Sequence, residues 1–280
     1  MAGQIEVDGL SVHYVEQGTG PPVLFLHGFG DAVFVWEDML SRLTGHRLIA
    51  VDLKGHGDSG KPRDGRYSLR DHAAVVSGLM AALDLRDVVL VGQSLGAAIA
   101  LVGMVWDDNL RSRTRALALL DAPAYPQKMP WFLAILRIPI VRYLSDRLMR
   151  PEAKTRATLK LVFHRPERIA EDHVAVRVRF AGLPGAGDAM AATAQMMIPD
   201  DVAGLTSAYA DVRVPTLLIW GEQDRVVPLA VGQSLVRQMP NARLEVVPDC
   251  GHNPHEEQPV RTAELLSRFL EEVAPATSPT

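Results

Sequence analysis

A serine with glycine two positions away on each side has the residue types and spacing of a catalytic nucleophile. The segment Gly92-Gln93-Ser94-Leu95-Gly96 follows the apolar run 87–91 and precedes an apolar stretch with helical character at 97–101. Turning a strand into a helix within one residue strains the backbone, and only small neighbours avoid a clash there. The following helix would place its positive end at the hydroxyl, where developing negative charge is stabilised. The pattern therefore predicts Ser94 as a nucleophile.

A serine hydroxyl is a weak nucleophile at neutral pH, so it needs a base and a group that orients that base. Two later segments supply candidates, namely Asp224 at the end of 220–224 and His252 within 249–254. Both follow predicted strands, and open parallel sheets place their ligands at the carboxyl edge where Ser94 also lies. Asp121 follows a strand as well and stays an alternative to Asp224 as the acid.

Strand and helix patterns alternate over most of the chain. Such alternation requires crossover connections and predicts an α/β fold, with a mostly parallel open sheet and helices on both faces. Ser68 and Asp71 have the spacing of a capping box at the start of one helix. The predicted strands are 4–7, 11–16, 23–26, 46–53, 87–91, 114–120, 212–220 and 243–247, and the predicted helices outside the insertion described next are 33–43, 68–85, 97–101, 229–238 and 260–273.

The alternation stops after Asp121, and the chain then carries helical stretches interrupted by prolines up to about residue 204. We interpret this part as an inserted helical cap. The predicted domains are a core formed by 1–121 and 211–280 and a cap formed by 122–210.

Five motifs, in their order along the chain, resemble the successive signatures of the α/β hydrolase superfamily. The resemblance covers the whole chain except the predicted cap, and it is specific for fold more than for substrate. The motifs are His27-Gly28-Phe29-Gly30, residues 52–59, Gly92-Gln93-Ser94-Leu95-Gly96, Gly221-Glu222-Gln223-Asp224 and residues 251–257.

The resemblance implies a role for each matching residue. Ser94 would be the nucleophile, His252 the general base and later acid, and Asp224 the group that holds the imidazolium. The backbone N–H groups of Phe29 and Leu95 would form the oxyanion hole. This chemistry requires no metal and no organic cofactor. His252, His255 and Glu256 also lack the H-E-x-x-H spacing of a zinc site.

Composition limits the classes of ligand and the cellular compartment that we expect for this protein. The 280 residues carry a formal net charge of −4, which does not favour nucleic-acid binding, so we expect a small neutral molecule as the substrate. Cys250 is the only cysteine, so no disulfide can form within the chain. The first six residues lack the basic start and apolar stretch of a secretion signal. These features favour a cytoplasmic protein, and they leave its oligomeric state open.

One part of the predicted cap is strongly basic. Residues 122–170 contain ten Lys or Arg against three Asp or Glu, and apolar residues are interleaved with them at 131–141. This pattern favours a helix with one face in the core and one in water. The alternative is a lid that makes weak contact with a membrane or lipid surface. In either case the cap should form an apolar pocket over Ser94.

The leading hypothesis is a serine esterase that cleaves carboxylic esters of moderately apolar substrates through an acyl-enzyme. Ser94 argues against haloalkane dehalogenases and epoxide hydrolases, which carry aspartate at the nucleophile position. Carbon-carbon bond hydrolases usually have an aromatic residue directly after the catalytic histidine, where this chain has Asn253. Proline iminopeptidases usually have tryptophan directly after the serine, where this chain has Leu95. Lactonase, cofactor-free perhydrolase or haloperoxidase, and carbon-carbon bond hydrolase chemistry stay as alternatives with the same three residues. A non-catalytic binding protein on the same scaffold is the third class.

Overall fold

One eight-stranded sheet runs through the protein, in the order β1-β2-β4-β3-β5-β6-β7-β8. The computed structural model describes residues 1–274, apart from the side chains of Arg142 and Asp146. The pairs β1–β2 and β2–β4 are antiparallel, and all other neighbours are parallel, which confirms the predicted mostly parallel sheet. The strands are β1 (Ala2–Val7), β2 (Leu10–Gln17), β3 (Pro22–Leu26), β4 (Arg47–Val51), β5 (Val88–Gln93), β6 (Thr114–Leu120), β7 (Thr216–Gly221) and β8 (Ala242–Val247).

Helices cover both faces of the sheet, as the sequence predicts. Successive side chains of a strand point to opposite faces, so Leu24 and Leu26 of β3 join one apolar core while Val23 and Phe25 join the other. The first core packs against α2, α3, α4 and α11, and the second packs against α1 and α13. The flanking helices are α1 (Glu37–Arg42), α2 (Leu69–Ala82), α3 (Leu95–Trp106), α4 (Asp108–Arg113), α11 (Leu229–Gln238), α12 (Pro254–Glu257) and α13 (Pro259–Glu272).

Most predicted elements are present, with differences at their ends. The capping box at α2 is confirmed: the Ser68 hydroxyl accepts the Asp71 N–H, and the Asp71 carboxylate accepts the Ser68 N–H. The predicted helix 33–43 divides into a 3-10 turn (Val33–Trp36) and α1, and the Val33 N–H at the start of the turn donates to the Asp52 carboxylate. The predicted strand 212–220 begins only at residue 216, since Val212 closes a turn with Tyr209.

The chain between β6 and β7 contains helices and, in the described structure, no strand. We call residues 122–210 the helical insertion. No described helix is both long and apolar enough to cross a membrane. The helices of the insertion are α5 (Trp131–Arg137), α6 (Pro139–Leu148), α7 (Pro151–Val162), α8 (Glu171–Ala181), α9 (Ala186–Met196) and α10 (Val202–Ala208).

Candidate active site

Ser94 occupies the sharp corner between β5 and α3. Its φ of 48° and ψ of −110° lie in a region that residues with a side chain rarely adopt. The corner is tight: a Cβ on Gly92 would lie 2.6 Å from the Ala97 nitrogen, and one on Gly96 would overlap the Leu26 carbonyl. The Ser94 N–H donates to the Leu120 carbonyl at 2.9 Å, which ties the strained residue to β6. The predicted strand-to-helix corner and its need for small neighbours are therefore present in the fold.

The fold brings the three side chains singled out in the sequence together. The Nε2 atom of His252 lies 2.8 Å from the Oγ atom of Ser94, and its Nδ1 atom lies 2.8 Å from Oδ2 of Asp224. The Asp224 side chain is fully buried, and its Oδ1 accepts the N–H groups of Val226 and Val227 at 2.7 and 3.0 Å. A base so oriented can accept a proton from the serine hydroxyl.

The loop that carries His252 is held from two sides. The Gln93 side-chain amide donates to the His252 carbonyl at 2.9 Å and to Oδ1 of Asn253 at 3.2 Å. From the helical insertion, the carbonyl of Val162 accepts the His252 N–H at 2.8 Å. A residue of β5 and the last residue of α7 therefore fix the position of the imidazole.

Asp121, the alternative acid, lies behind Asp224. It is fully buried at the end of β6, and its Oδ1 accepts the Gly221 N–H at 2.9 Å. Burial and the neighbouring charge of Asp224 raise the pKa of Asp121 well above its ordinary value. Asp224 is the carboxylate bonded to the imidazole, whereas Oδ1 of Asp121 is bonded to the Gly221 N–H.

Phe29 and Leu95, the two residues whose N–H groups are predicted to form the oxyanion hole, lie at the cavity that contains Ser94. Leu95 is the first residue of α3, so its N–H has no partner within the helix. Phe29 follows β3, and both residues line the same cavity as Ser94. The Phe29 ring packs edge-on against His56 with centroids 5.9 Å apart, which fixes its loop.

A cavity of about 660 Å³ lies over Ser94 and His252. Residues from the core loops and from the helical insertion share its lining. The insertion contributes mostly apolar side chains, including Phe132, Leu136, Met190 and Met197. Pockets of this size and polarity hold small organic ligands.

A buried ion cluster joins the helical insertion to the core beside this cavity. The guanidinium of Arg177 on α8 donates to Asp31 at 2.6 Å and to Glu256 at 2.7 Å. Glu256 also accepts from Asn253 at 2.7 Å, and its other oxygen lies 2.9 Å from Nδ1 of His173. The sequence analysis missed this cluster, because nothing local to any of the four charged residues indicates a partner so far away along the chain.

The two carboxyls that share Arg177 differ in pKa. Burial raises the pKa of Asp31 to about 6, although the attraction of Arg177 opposes the shift. Burial also disfavours the charge of Glu256, but Arg177 and His173 outweigh it and hold that pKa well below its usual range. At neutral pH the cluster is therefore a charged network with Arg177 at its centre.

Replacing Arg177 by methionine should destabilise the protein by about 3–5 kcal/mol, because it leaves two buried carboxylates without their cation. The free energy of unfolding in urea measures this loss. Arg179→Met is the matched control: this exposed arginine on the same helix lies over the Phe180 ring, so its loss should cost under about 1 kcal/mol. Equal losses for the two variants would contradict a structural role for the cluster.

Among the described residues, two groups of side chains have the spacing of metal ligands, namely His13 with Asp52 and Asp58, and Asp121 with Asp224 and His252. Asp52 already accepts the N–H groups of Val33 and Asp58 and bonds His13 at 2.8 Å. In the second group, the Nδ1 atom of His252 is bonded to Asp224. We assign neither group a metal, because Asp52 in the first group and Asp224 and His252 in the second already use their side-chain atoms in hydrogen bonds within the chain. His255 and Glu256 join no site with His252, since His255 stacks on Trp36 and Glu256 pairs with Arg177.

Comparison with known proteins agrees with this architecture. The chain is 30% identical over 267 residues to a putative 2-succinyl-6-hydroxy-2,4-cyclohexadiene-1-carboxylate synthase of Bacillus subtilis (strain 168), covering 92% of this chain and 95% of that protein. It is 44% identical over 149 residues to a haloalkane dehalogenase of Agrobacterium fabrum, covering 53% of this chain and 42% of that protein.

Among solved structures, a putative aryl esterase from Burkholderia cenocepacia superposes with a TM-score of 0.80 at 26% identity, covering 98% of this chain and 99% of that one. The model of the alpha/beta hydrolase family matches residues 23–265. The sheet order, the serine corner and this match lead to one conclusion: the chain belongs to the alpha/beta hydrolase family.

Proposed function

We propose that this hydrolase is a serine esterase that cleaves carboxylic esters of moderately apolar small molecules through an acyl-enzyme on Ser94. The observation that carries the proposal is the line of hydrogen bonds from Ser94 through His252 to Asp224, each 2.8 Å long, at the floor of a largely apolar cavity. This arrangement meets the geometric requirement for an activated serine.

In the proposed mechanism, Nε2 of His252 takes the hydroxyl proton as Oγ of Ser94 attacks the ester carbonyl carbon. The carbon–oxygen bond to the alcohol then breaks, and the alcohol leaves with the proton from His252. Water attacks the acyl-enzyme and gives a proton to His252, the bond between the acyl carbon and Oγ of Ser94 breaks, Oγ takes that proton from His252, and the carboxylic acid is released. The carboxylate of Asp224 stabilises the imidazolium in both steps.

The N–H groups of Phe29 and Leu95 are the proposed oxyanion hole. They would donate to the carbonyl oxygen as it becomes negative in each tetrahedral intermediate. One such donor contributes about 2.7–4 kcal/mol of transition-state stabilisation. The start of α3 adds its positive helix end at the same place.

The helical insertion (122–210) is the proposed cap, over a core formed by 1–121 and 211–280. Its apolar side chains contribute to the lining of the cavity that contains Ser94, which supports a moderately apolar substrate. A cytoplasmic location is part of the proposal, and the single buried thiol of Cys250 is compatible with it. The similarity to a haloalkane dehalogenase carries no proposal, because those enzymes use an aspartate nucleophile and this chain has Ser94.

A substrate panel tests the reaction class. We expect turnover of p-nitrophenyl butyrate and octanoate, and acylated Ser94 in the intact mass of the quenched enzyme. Faster hydrolysis of a γ-lactone, formation of peracid, or cleavage of a vinylogous diketone in place of esters would move the assignment to the corresponding alternative. If no substrate is turned over and a fluorophosphonate does not label Ser94, the result would contradict catalysis and favour a binding protein.

A further inference from the structure

Helix α6 of the helical insertion presents an apolar face to solvent. Its large apolar residues Ile140, Tyr143, Leu144 and Leu148 are between 46% and 78% exposed. Their spacing of three and four residues places them on one side of the helix. We call these four residues the α6 face. A contiguous apolar surface of this kind is unusual in a soluble protein and marks a contact site.

The α6 face adjoins the mouth of the cavity over Ser94. Trp131, Met149 and Ile198 are each 40–52% exposed and also line the cavity. Met149 directly follows Leu148, the last residue of α6. The rim of the cavity therefore continues the apolar surface of the helix.

Positive charge accompanies this surface. Arg147 on α6 and Arg150 just after it are exposed, and neither forms an ion pair with a described side chain. Three other cations of the basic segment 122–170 are paired within the protein: Arg156 pairs with Glu152 and Glu171, and Arg165 and Arg168 pair with Asp249. Two exposed cations without a described ion partner thus lie at the C-terminal end of α6, beside the apolar residues.

We propose that the α6 face and the cavity rim dock on the surface of an anionic lipid bilayer. Apolar side chains next to exposed arginines match an acyl layer beneath negatively charged headgroups. A second copy of the chain is a poorer partner, because a twofold contact would bring Arg147 and Arg150 close to their own copies. Docking would open the cavity toward the lipid, so an apolar ester could enter from the bilayer. This last consequence rests on the proposed esterase function, whereas the docking itself does not.

Vesicle flotation with the full chain tests the proposal. We expect binding to phosphatidylcholine vesicles that contain phosphatidylglycerol, and at least tenfold weaker binding to phosphatidylcholine alone. Each basic residue near an anionic surface contributes about fivefold to the binding constant, so the double variant Arg147→Glu, Arg150→Glu should bind at least tenfold more weakly. Leu148→Asp should weaken binding by a similar factor.

Val260→Asp and Arg261→Glu are the matched controls, since they alter an exposed valine and arginine on α13 outside the helical insertion. Both should bind like the wild type, and circular dichroism should give the same spectrum for every variant. Equal binding by the α6 variants, or no binding by the wild type, would overturn the proposal. A wild-type dimer that Leu148→Asp dissociates, without vesicle binding, would assign the surface to a second copy instead. Ser94→Ala should float like the wild type, so loss of esterase activity and loss of docking are distinguishable.

Discussion

Replacing Ser94 by alanine is expected to lower kcat for p-nitrophenyl butyrate by about a millionfold, the scale seen when a serine nucleophile is removed from a triad. Alanine keeps the Cβ atom, so it fits the strained corner between β5 and α3 as serine does. The loss should therefore be chemical and leave the free energy of unfolding nearly unchanged.

Steady-state kinetics and fluorophosphonate labelling measure the effect of Ser94→Ala. Ser207→Ala is the matched control, because that exposed hydroxyl only donates to the Gly204 carbonyl on α10. The control should keep full activity and full labelling. Wild-type turnover by Ser94→Ala would show that another group attacks the substrate.

Asp224→Asn should lower kcat by about 10⁴-fold, because a neutral amide no longer stabilises the imidazolium and favours the wrong histidine tautomer. Asp121→Asn should lower it by no more than about tenfold, the scale of one altered hydrogen bond. The reason is that Asp121 lies behind Asp224, and an asparagine oxygen can accept the Gly221 N–H as Oδ1 of Asp121 does.

The two asparagine variants form a matched pair, since they make the same chemical change at neighbouring buried carboxyls. Steady-state kcat for p-nitrophenyl butyrate discriminates between them once both are shown to fold. The reverse order of effects would make Asp121 the acid of the triad. Equal small losses would show that neither carboxyl orients His252.

The serine corner was predictable from sequence because its determinants are local. Gly92 and Gly96 are required within two residues of Ser94, and an apolar run on each side identifies the strand and the helix. His252 was predictable from topology, because the carboxyl ends of parallel strands meet at one edge. The choice between Asp121 and Asp224 as the acid was not predictable in this way, since both residues follow strands at that edge. The two carboxyls differ only in the folded structure, where Oδ2 of Asp224 lies 2.8 Å from Nδ1 of His252 and Oδ1 of Asp121 accepts the Gly221 N–H.

The contacts of the helical insertion with the core could not be predicted from the sequence. Its helical character is visible in composition, but the placement of Arg177 on Asp31 and Glu256 depends on how α8 packs against loops 146 and 79 residues away. Periodicity describes one helix at a time and carries no information on such distant pairings. The net charge of the basic segment also does not indicate which of its cations form ion pairs, because Arg165 and Arg168 pair with Asp249, which lies outside the segment.

The hydrogen bond from the His252 N–H to the Val162 carbonyl has a consequence for evolution and engineering. A side chain on Gly251 would overlap that same carbonyl, so the backbone of the histidine loop and the end of α7 fit each other closely. Transplanting the insertion of a relative into this scaffold would therefore change turnover as well as selectivity. In chimeras that retain Val162 and its flanking turn from the recipient scaffold, we expect selectivity to change while turnover stays the same.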